Sequence, residues 1–136
     1  MMHSVKVTKE ILRWLLAALF VFAGISHFVR PQFYESMVPP YLPSPHLLVV
    51  VSGIAEIILG VLLLVPRMSR RAAFGLIALL IAVSPANLHM ALHPNLFPQF
   101  RPTALWIRLP VQVVLMAWAF WFTTSGLELP TNPRIL

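Results

Sequence analysis

The stretch "VVVSGIAEIILGVLLLVP", from Val49 to Pro66, carries a single charged residue, Glu56, within an otherwise apolar or small-residue run. A helix of about 20 residues rises about 30 Å, which is the thickness of the hydrocarbon core of a bilayer. Apolar runs of this length cover about residues 11–29, 46–65, 71–92 and 103–123. They predict an all-α, integral membrane four-helix bundle, with residues 1–136 forming a single domain.

The composition supports a membrane protein. The chain is 59% hydrophobic and 10% charged, with a mean hydropathy of +0.83, which lies outside the usual range of soluble domains. The stretch from Trp14 to Ile25 within the first run is preceded by Lys6, Lys9 and Arg13, as in a signal peptide. However, the run continues to Phe28 without a small-x-small cleavage site. We therefore expect it to stay as the first span. The chain has no cysteine, so any redox role needs a bound cofactor or a partner.

The positive charges predict the orientation. Seven of the ten lysines and arginines fall in the amino-terminal segment, the link "PRMSRR" and the carboxy-terminal tail, which share one side of a four-span topology. By the positive-inside rule both termini are cytoplasmic, and the proline-rich and aromatic loops 30–45 and 93–102 are external. These cations suit contact with anionic lipid headgroups, and we expect no nucleic-acid partner.

Glu56 is the residue of greatest functional interest. It lies ten positions after His46, near the outer end of its helix, so it sits about 15 Å deep, close to the bilayer midplane. Ionisable side chains at this depth face the bundle interior and pair with another group. At 100° per residue Glu56 shares a face with Ser52, Gly53 and Gly60, whose small side chains allow a neighbouring helix to approach closely.

The other three spans each supply polar side chains to the outer half of the membrane. Arg108 and Gln112 share a face of the fourth span, and Arg108 is predicted to reach down toward Glu56. His27 lies near the outer end of the first span. Asn87 follows Pro85 on the third, where the proline is expected to kink the helix.

Two interpretations of this pattern stay open at about equal weight. In the first, Glu56 is the floor of an outward-facing pocket that binds a ligand or handles protons. The pocket would be lined by the four other polar residues, His27, Asn87, Arg108 and Gln112. In the second, the same side chains form a structural clamp that fixes helix register.

A metal site is not predicted. His89 and His93 have the i, i+4 spacing of a helical metal site, but the chain has no aspartate and Glu56 lies much deeper. The sequence also has no glycine-rich phosphate loop, no nucleophile elbow and no haem-attachment motif.

The segments "FAGISHFVRPQFYESMVPPYLP" and "SGIAEIILGVLLLVPRMSRRAAFGLIALLIAVSPANLHMAL" resemble the DoxX family of small bacterial four-helix membrane proteins. The resemblance covers about residues 13–93, while the fourth helix is similar only in character. The matching positions are Gly24, His27, Phe28, Pro31, Phe33, "VPPYLP" (38–43), Ser52, Gly53, Glu56, Gly60, Pro66 and "PAN" (85–87). The family takes its name from a subunit type of archaeal thiosulfate:quinone oxidoreductase, and members are linked to membrane oxidative-stress complexes. The resemblance implies a multi-pass protein of the bacterial cytoplasmic membrane, but it transfers no cofactor-binding residue.

Three functions follow as hypotheses, and the catalytic status stays open. The first is a redox-associated protein that binds a quinone-like lipophilic molecule, with Glu56 relaying a proton. The second is a non-enzymatic scaffold or accessory subunit whose polar cluster is structural. The third, ranked lowest, is a small transporter, because the inner half offers no polar path. The candidate partners are membrane lipid, a redox enzyme complex and a second copy of the chain.

Overall fold

The computed structural model describes residues 1–124, and within this range every regular element is a helix and there is no strand. The four long helices are α1 (Met2–Val29), α3 (Pro45–Leu63), α4 (Ser69–Leu92) and α5 (Pro102–Thr124). A short helix α2 (Pro31–Glu35) follows α1, and a 3-10 turn (Pro94–Leu96) follows α4. All four long helices are long and apolar enough to cross a membrane, which confirms the predicted four-helix bundle.

The helix limits differ from the apolar runs mainly at the amino terminus. Helix α1 begins at Met2, well before the apolar run at Ile11, because no proline or glycine interrupts this polar segment. Its Glu10 pairs with Arg13 one turn away, which stabilises the extension. Hydropathy therefore marks the part of the helix that suits lipid, whereas the helix itself starts earlier.

The helices pack in chain order, with α1 against α3, α3 against α4 and α4 against α5. We call the end that carries α2 and the 3-10 turn the loop end, and the end that carries the α3–α4 connection the link end. A large apolar cluster fills the interior toward the link end. It contains Leu16, Ala17, Phe20, Leu63, Ala72, Ala73, Leu76, Leu80, Ala119 and Phe122.

A smaller apolar cluster lies at the loop end, where it joins both connections to α4 and α5. Its buried members are Met37, Met90, Ala91, Phe97 and Leu105. The outward faces of the long helices carry exposed large apolar side chains, for example Phe22 at 73% and Val114 at 62% exposure. Such a surface suits contact with lipid chains, and it accounts for the small buried share of each span.

Candidate functional site

The deepest charged contact joins α1 to α3. The Nε2 atom of His27 lies 3.3 Å from Oε2 of Glu56, and both side chains are only 12% and 14% exposed. On the other side of the ring, Nδ1 of His27 lies 3.1 Å from the carbonyl oxygen of Val49 and 3.2 Å from the hydroxyl of Ser52. The Ser52 hydroxyl itself donates to the Val49 carbonyl at 3.1 Å. His27 is therefore held on both ring nitrogens by α3.

This arrangement fixes where the protons of His27 lie. A carbonyl oxygen only accepts hydrogen bonds, so we assign the proton of Nδ1 to the contact with Val49. In a neutral imidazole Nε2 is then a lone pair, which faces a carboxylate oxygen of Glu56. With Nδ1 as the donor to Val49, two lone pairs would face each other at 3.3 Å and repel, so this tautomer favours a proton on Nε2 or on Glu56.

Two glycines allow this contact by bringing the helix backbones together. A Cβ atom on Gly24 would lie 2.6 Å from the carbonyl oxygen of Gly53 and 3.1 Å from Cβ of Glu56. A Cβ atom on Gly53 would lie 2.9 Å from Cβ of His27. These distances are shorter than ordinary contacts, so larger side chains would push α1 and α3 apart and separate His27 from Glu56.

The short helix α2 covers His27 at the loop end. The ring of Tyr34 lies 4.2 Å from the ring of His27, centroid to centroid, and Phe33 packs edge-on against Tyr34 at 5.3 Å. Glu35, the last residue of α2, accepts a hydrogen bond from Nδ1 of His46 at 2.6 Å, which anchors α2 to the start of α3. His27 is therefore shielded from the loop end by an aromatic side chain.

A second polar group joins α4 to α5. The side-chain amide of Asn87 donates to Oε1 of Gln112 at 2.7 Å. The amide nitrogen of Gln112 in turn contacts the hydroxyl of Ser84 and the carbonyl oxygen of Leu80. Gln112 is 5% exposed, and its partners lie on α4 on both sides of Pro85. Proline has no backbone N–H, so this part of α4 lacks one of its helical hydrogen bonds. This group is a complete clamp between two helices.

Arg108 lies apart from both groups. Its Nη1 atom contacts the sulfur of Met90 at 3.8 Å and the sulfur of Met37 at 4.0 Å, and its guanidinium lies 5.5 Å from the ring centre of Phe100. Within residues 1–124, Glu56 has its ion-pair contact with His27, not Arg108. The predicted Glu56–Arg108 pair is therefore wrong.

The five predicted side chains thus form three groups where a single one was expected. His27 and Glu56 are together, Asn87 and Gln112 are together, and Arg108 stands with two methionines. Helical spacing gives the face and the depth of a residue, but it does not say which helix that face meets. The prediction that these residues bind a ligand or handle protons stays a prediction.

Sequence reasoning missed several partners of these groups. Ser52 lies one turn before Glu56 on the same face, so its spacing is a usable signal. Tyr34 lies in the loop 30–45, for which the sequence predicts only an external position. Met37 and Met90 gave no signal as neighbours of an arginine. The rings of His89 and His93 stack at 4.6 Å, and in the described part of the chain no group of three or more potential ligands is placed to hold a metal ion.

A surface recess lies elsewhere, along the outer face of α1 toward the link end. It is almost wholly apolar and does not include any of the five predicted residues. Its lining residues are Val7, Glu10, Ile11, Trp14, Leu15 and Ala18. The predicted pocket above Glu56 stays a prediction.

Comparison with known proteins identifies the family. The chain belongs to the family described as "Domain of unknown function (DUF8561)", whose profile matches residues 16–123, from the middle of α1 almost to the end of α5. No curated protein and no solved structure matches the chain. The match includes all three polar groups described above.

Proposed function

We propose that this member of the DUF8561 family is a membrane protein that binds a quinone-like lipophilic molecule beside His27 and Glu56 and exchanges a proton with it. The observation that carries the proposal is the 3.3 Å contact between Nε2 of His27 and Oε2 of Glu56, an ionisable pair inside an apolar bundle. Buried ionisable pairs within a membrane are rare and mark proton relays and ligand sites.

The residues present fit such a ligand. The Oε2 atom of Glu56 is buried and has no hydrogen-bond partner among the described residues, because its contact with His27 has ion-pair distance without hydrogen-bond geometry. A quinone supplies two-electron redox chemistry when bound, and its carbonyl oxygens accept hydrogen bonds. With the proton on Oε2, Glu56 would donate a hydrogen bond to a quinone carbonyl and could pass that proton to it on reduction. His27 would then return or accept a proton through Nε2, with Nδ1 held by Val49.

The resemblance to the DoxX family supports the same proposal. On that basis we propose that the chain lies in the bacterial cytoplasmic membrane, next to a redox or oxidative-stress system that supplies the electrons. The sequence has no cysteine, so the chain has no thiol that could carry electrons, and a partner would have to supply them.

The test is the quinone content of the purified protein. We expect lipid extracts of the wild-type chain to contain quinone, and extracts of Glu56→Gln and His27→Gln to contain several-fold less per chain. Glu35→Gln is the matched control, since it makes the same chemical change in a carboxylate that pairs with His46 on the loop-end surface. Equal quinone in Glu56→Gln and wild type, in protein that elutes as the same species, would refute the proposal.

A structural clamp is the second candidate, in which the protein is a scaffold or accessory subunit. The observation that favours it is the group around Gln112, whose amide has all its partners within α4. In that case cells that carry Glu56→Gln should keep their tolerance to a redox-cycling quinone. The first proposal predicts the reverse, namely a folded variant in cells that have lost that tolerance.

A further inference from the structure

Arg108 is a cation whose surroundings do not satisfy it. A guanidinium has five N–H donors and no acceptor. The side chain is half-buried. Its Nη1 atom contacts the sulfurs of Met37 and Met90, at 4.0 and 3.8 Å, and Tyr34 lies close enough to interact with its charge. Thioether sulfur is a weak acceptor, and the ring of Phe100 at 5.5 Å offers only its negative face. Most of the donors of Arg108 therefore need another partner.

The acidic residues in residues 1–124 do not supply that partner. Glu10 pairs with Arg13, Glu35 with His46 and Glu56 with His27. None of the three lies within ion-pair distance of Arg108. An unpaired cation is costly in a membrane interior, and arginine there turns toward the headgroups or binds an anion.

Other cations lie at the same end of the molecule. Arg101 directly precedes α5, seven residues before Arg108, at the loop end. Arg30 lies over the ring of Phe33 at 5.1 Å, and Phe33 packs against Phe100 at 5.6 Å. Phe33 and Phe100 thus form one small aromatic cluster at the loop end. Arg30 lies over the first ring and Arg108 over the second.

We propose that Arg108 is the anchor of a phosphate-binding site at the loop end, separate from the His27–Glu56 pair. The planar guanidinium matches two phosphate oxygens at once, which a thioether or a ring cannot replace. The phosphate belongs either to a phospholipid headgroup or to a free anion. A neutral quinone carbonyl would leave the charge of Arg108 uncompensated, so it fits this site less well.

The surface beside Arg108 suits an amphiphile. Ile107 and Val111 on α5 are 54% and 48% exposed, so an apolar chain can lie along this part of the helix. Arg101 is exposed at the loop end. The site thus has a half-buried charge, an exposed charge and an apolar flank.

The experiment measures binding of three probes to the delipidated full-length chain in a neutral detergent. The probes are a short-chain phosphatidylglycerol, the diacylglycerol with the same chains, and inorganic phosphate. We expect the phosphatidylglycerol to bind at least tenfold more tightly than the diacylglycerol, and Arg108→Gln to lose about tenfold of that affinity. Arg108→Lys should keep part of it because it keeps the charge. Arg67→Gln, an exposed change at the link end, is the matched control and should bind as wild type.

Each result has a defined meaning. Competition by inorganic phosphate identifies a free anion as the ligand, and its failure identifies the headgroup; both support the site. Equal binding of the phosphatidylglycerol and the diacylglycerol by the wild type overturns the proposal without any variant, as does unchanged binding in a folded Arg108→Gln. This proposal and the quinone proposal fail separately, since Arg108→Gln should keep its quinone and Glu56→Gln should keep its phosphatidylglycerol.

Discussion

At the scale of single residues, the carbonyl group of Val49 has the largest chemical effect. It accepts a hydrogen bond from Nδ1 of His27, and this leaves Nε2 to face Glu56. Without that carbonyl the imidazole could present a proton to the carboxylate and remain neutral. With it, the two side chains share one proton, which either can hold. A backbone atom thus sets the state of a side-chain pair that sequence inspection would assign to side chains alone.

The first prediction tests this pair by a double-mutant cycle. His27→Gln and Glu56→Gln should each lower the melting temperature in detergent, because each leaves a buried polar partner less well satisfied. The double variant should lose less than the sum, with a coupling energy of about 0.5–3 kcal/mol, as is usual for residues in contact. The control is the cycle between Glu56→Gln and Arg108→Gln, which should be additive. Coupling in the control cycle and additivity in the first would contradict the contacts described here.

At the scale of elements, the molecule consists of two hairpins, α1 with α3 and α4 with α5. The first helix of each ends at a residue before proline with nearly the same backbone angles, φ −130°, ψ 58° at Arg30 and φ −126°, ψ 59° at His93. Proline excludes the preceding residue from the helical region, so both helices stop there. The second helix of the first hairpin begins with Pro45 and that of the second with Pro102. The two hairpins therefore share one layout, in which proline ends the first helix and begins the second.

The second prediction concerns the contact between α1 and α3. Gly24→Ala places a methyl group 2.6 Å from the backbone oxygen of Gly53, which cannot move away cheaply, so we expect a loss of about 1–3 kcal/mol or failure to fold. Gly75→Ala is the matched control. Its methyl group would also lie at 2.6 Å, but from Cδ2 of Leu59, the end of a flexible side chain. Thermal melting in detergent compares the two, and equal losses would show that the backbone contact is not decisive.

At the scale of the whole molecule, charge and aromatic packing separate the two ends. Lys9 lies 5.0 Å from the ring centre of Trp121, which joins the start of α1 to the end of α5 at the link end. Arg67, Arg70 and Arg71 lie at the same end, and Arg134 lies outside the described residues. The loop end has Arg30, Arg101 and Arg108. The predicted orientation, with the link end in the cytoplasm, follows from this difference.

The third prediction tests that orientation by thiol labelling, for which the cysteine-free sequence is well suited. Tyr41→Cys and Asn95→Cys, both at exposed loop-end positions, should react with a membrane-impermeant maleimide in intact cells. Arg67→Cys, exposed at the link end, should react only after the cells are permeabilised. The opposite pattern would reverse the predicted topology, and with it the side of the membrane on which the Arg108 site lies.

The spans were predictable from sequence because hydropathy and length directly reflect the requirement for burial in lipid. The inward direction of Glu56 was predictable because charge is costly in lipid. Its partner was not, because Arg108 and His27 both lie near the loop end and sequence gives no order of helices around the bundle. The close approach of Gly24 and Gly53 decides that order, and it becomes visible only in three dimensions.

The grouping of polar residues by hairpin bears on how the protein is made. His27 and Glu56 belong to the hairpin of α1 and α3, which is synthesised before the other hairpin. Asn87 and Gln112 belong to the hairpin of α4 and α5. Each hairpin can therefore enter the bilayer with its polar side chains already in contact with each other. Neither pair depends on a helix that is inserted later. Arg108 is the exception, because Met37 lies in the other hairpin. Its environment is complete only when the two halves dock, which makes it the last part of the molecule to mature.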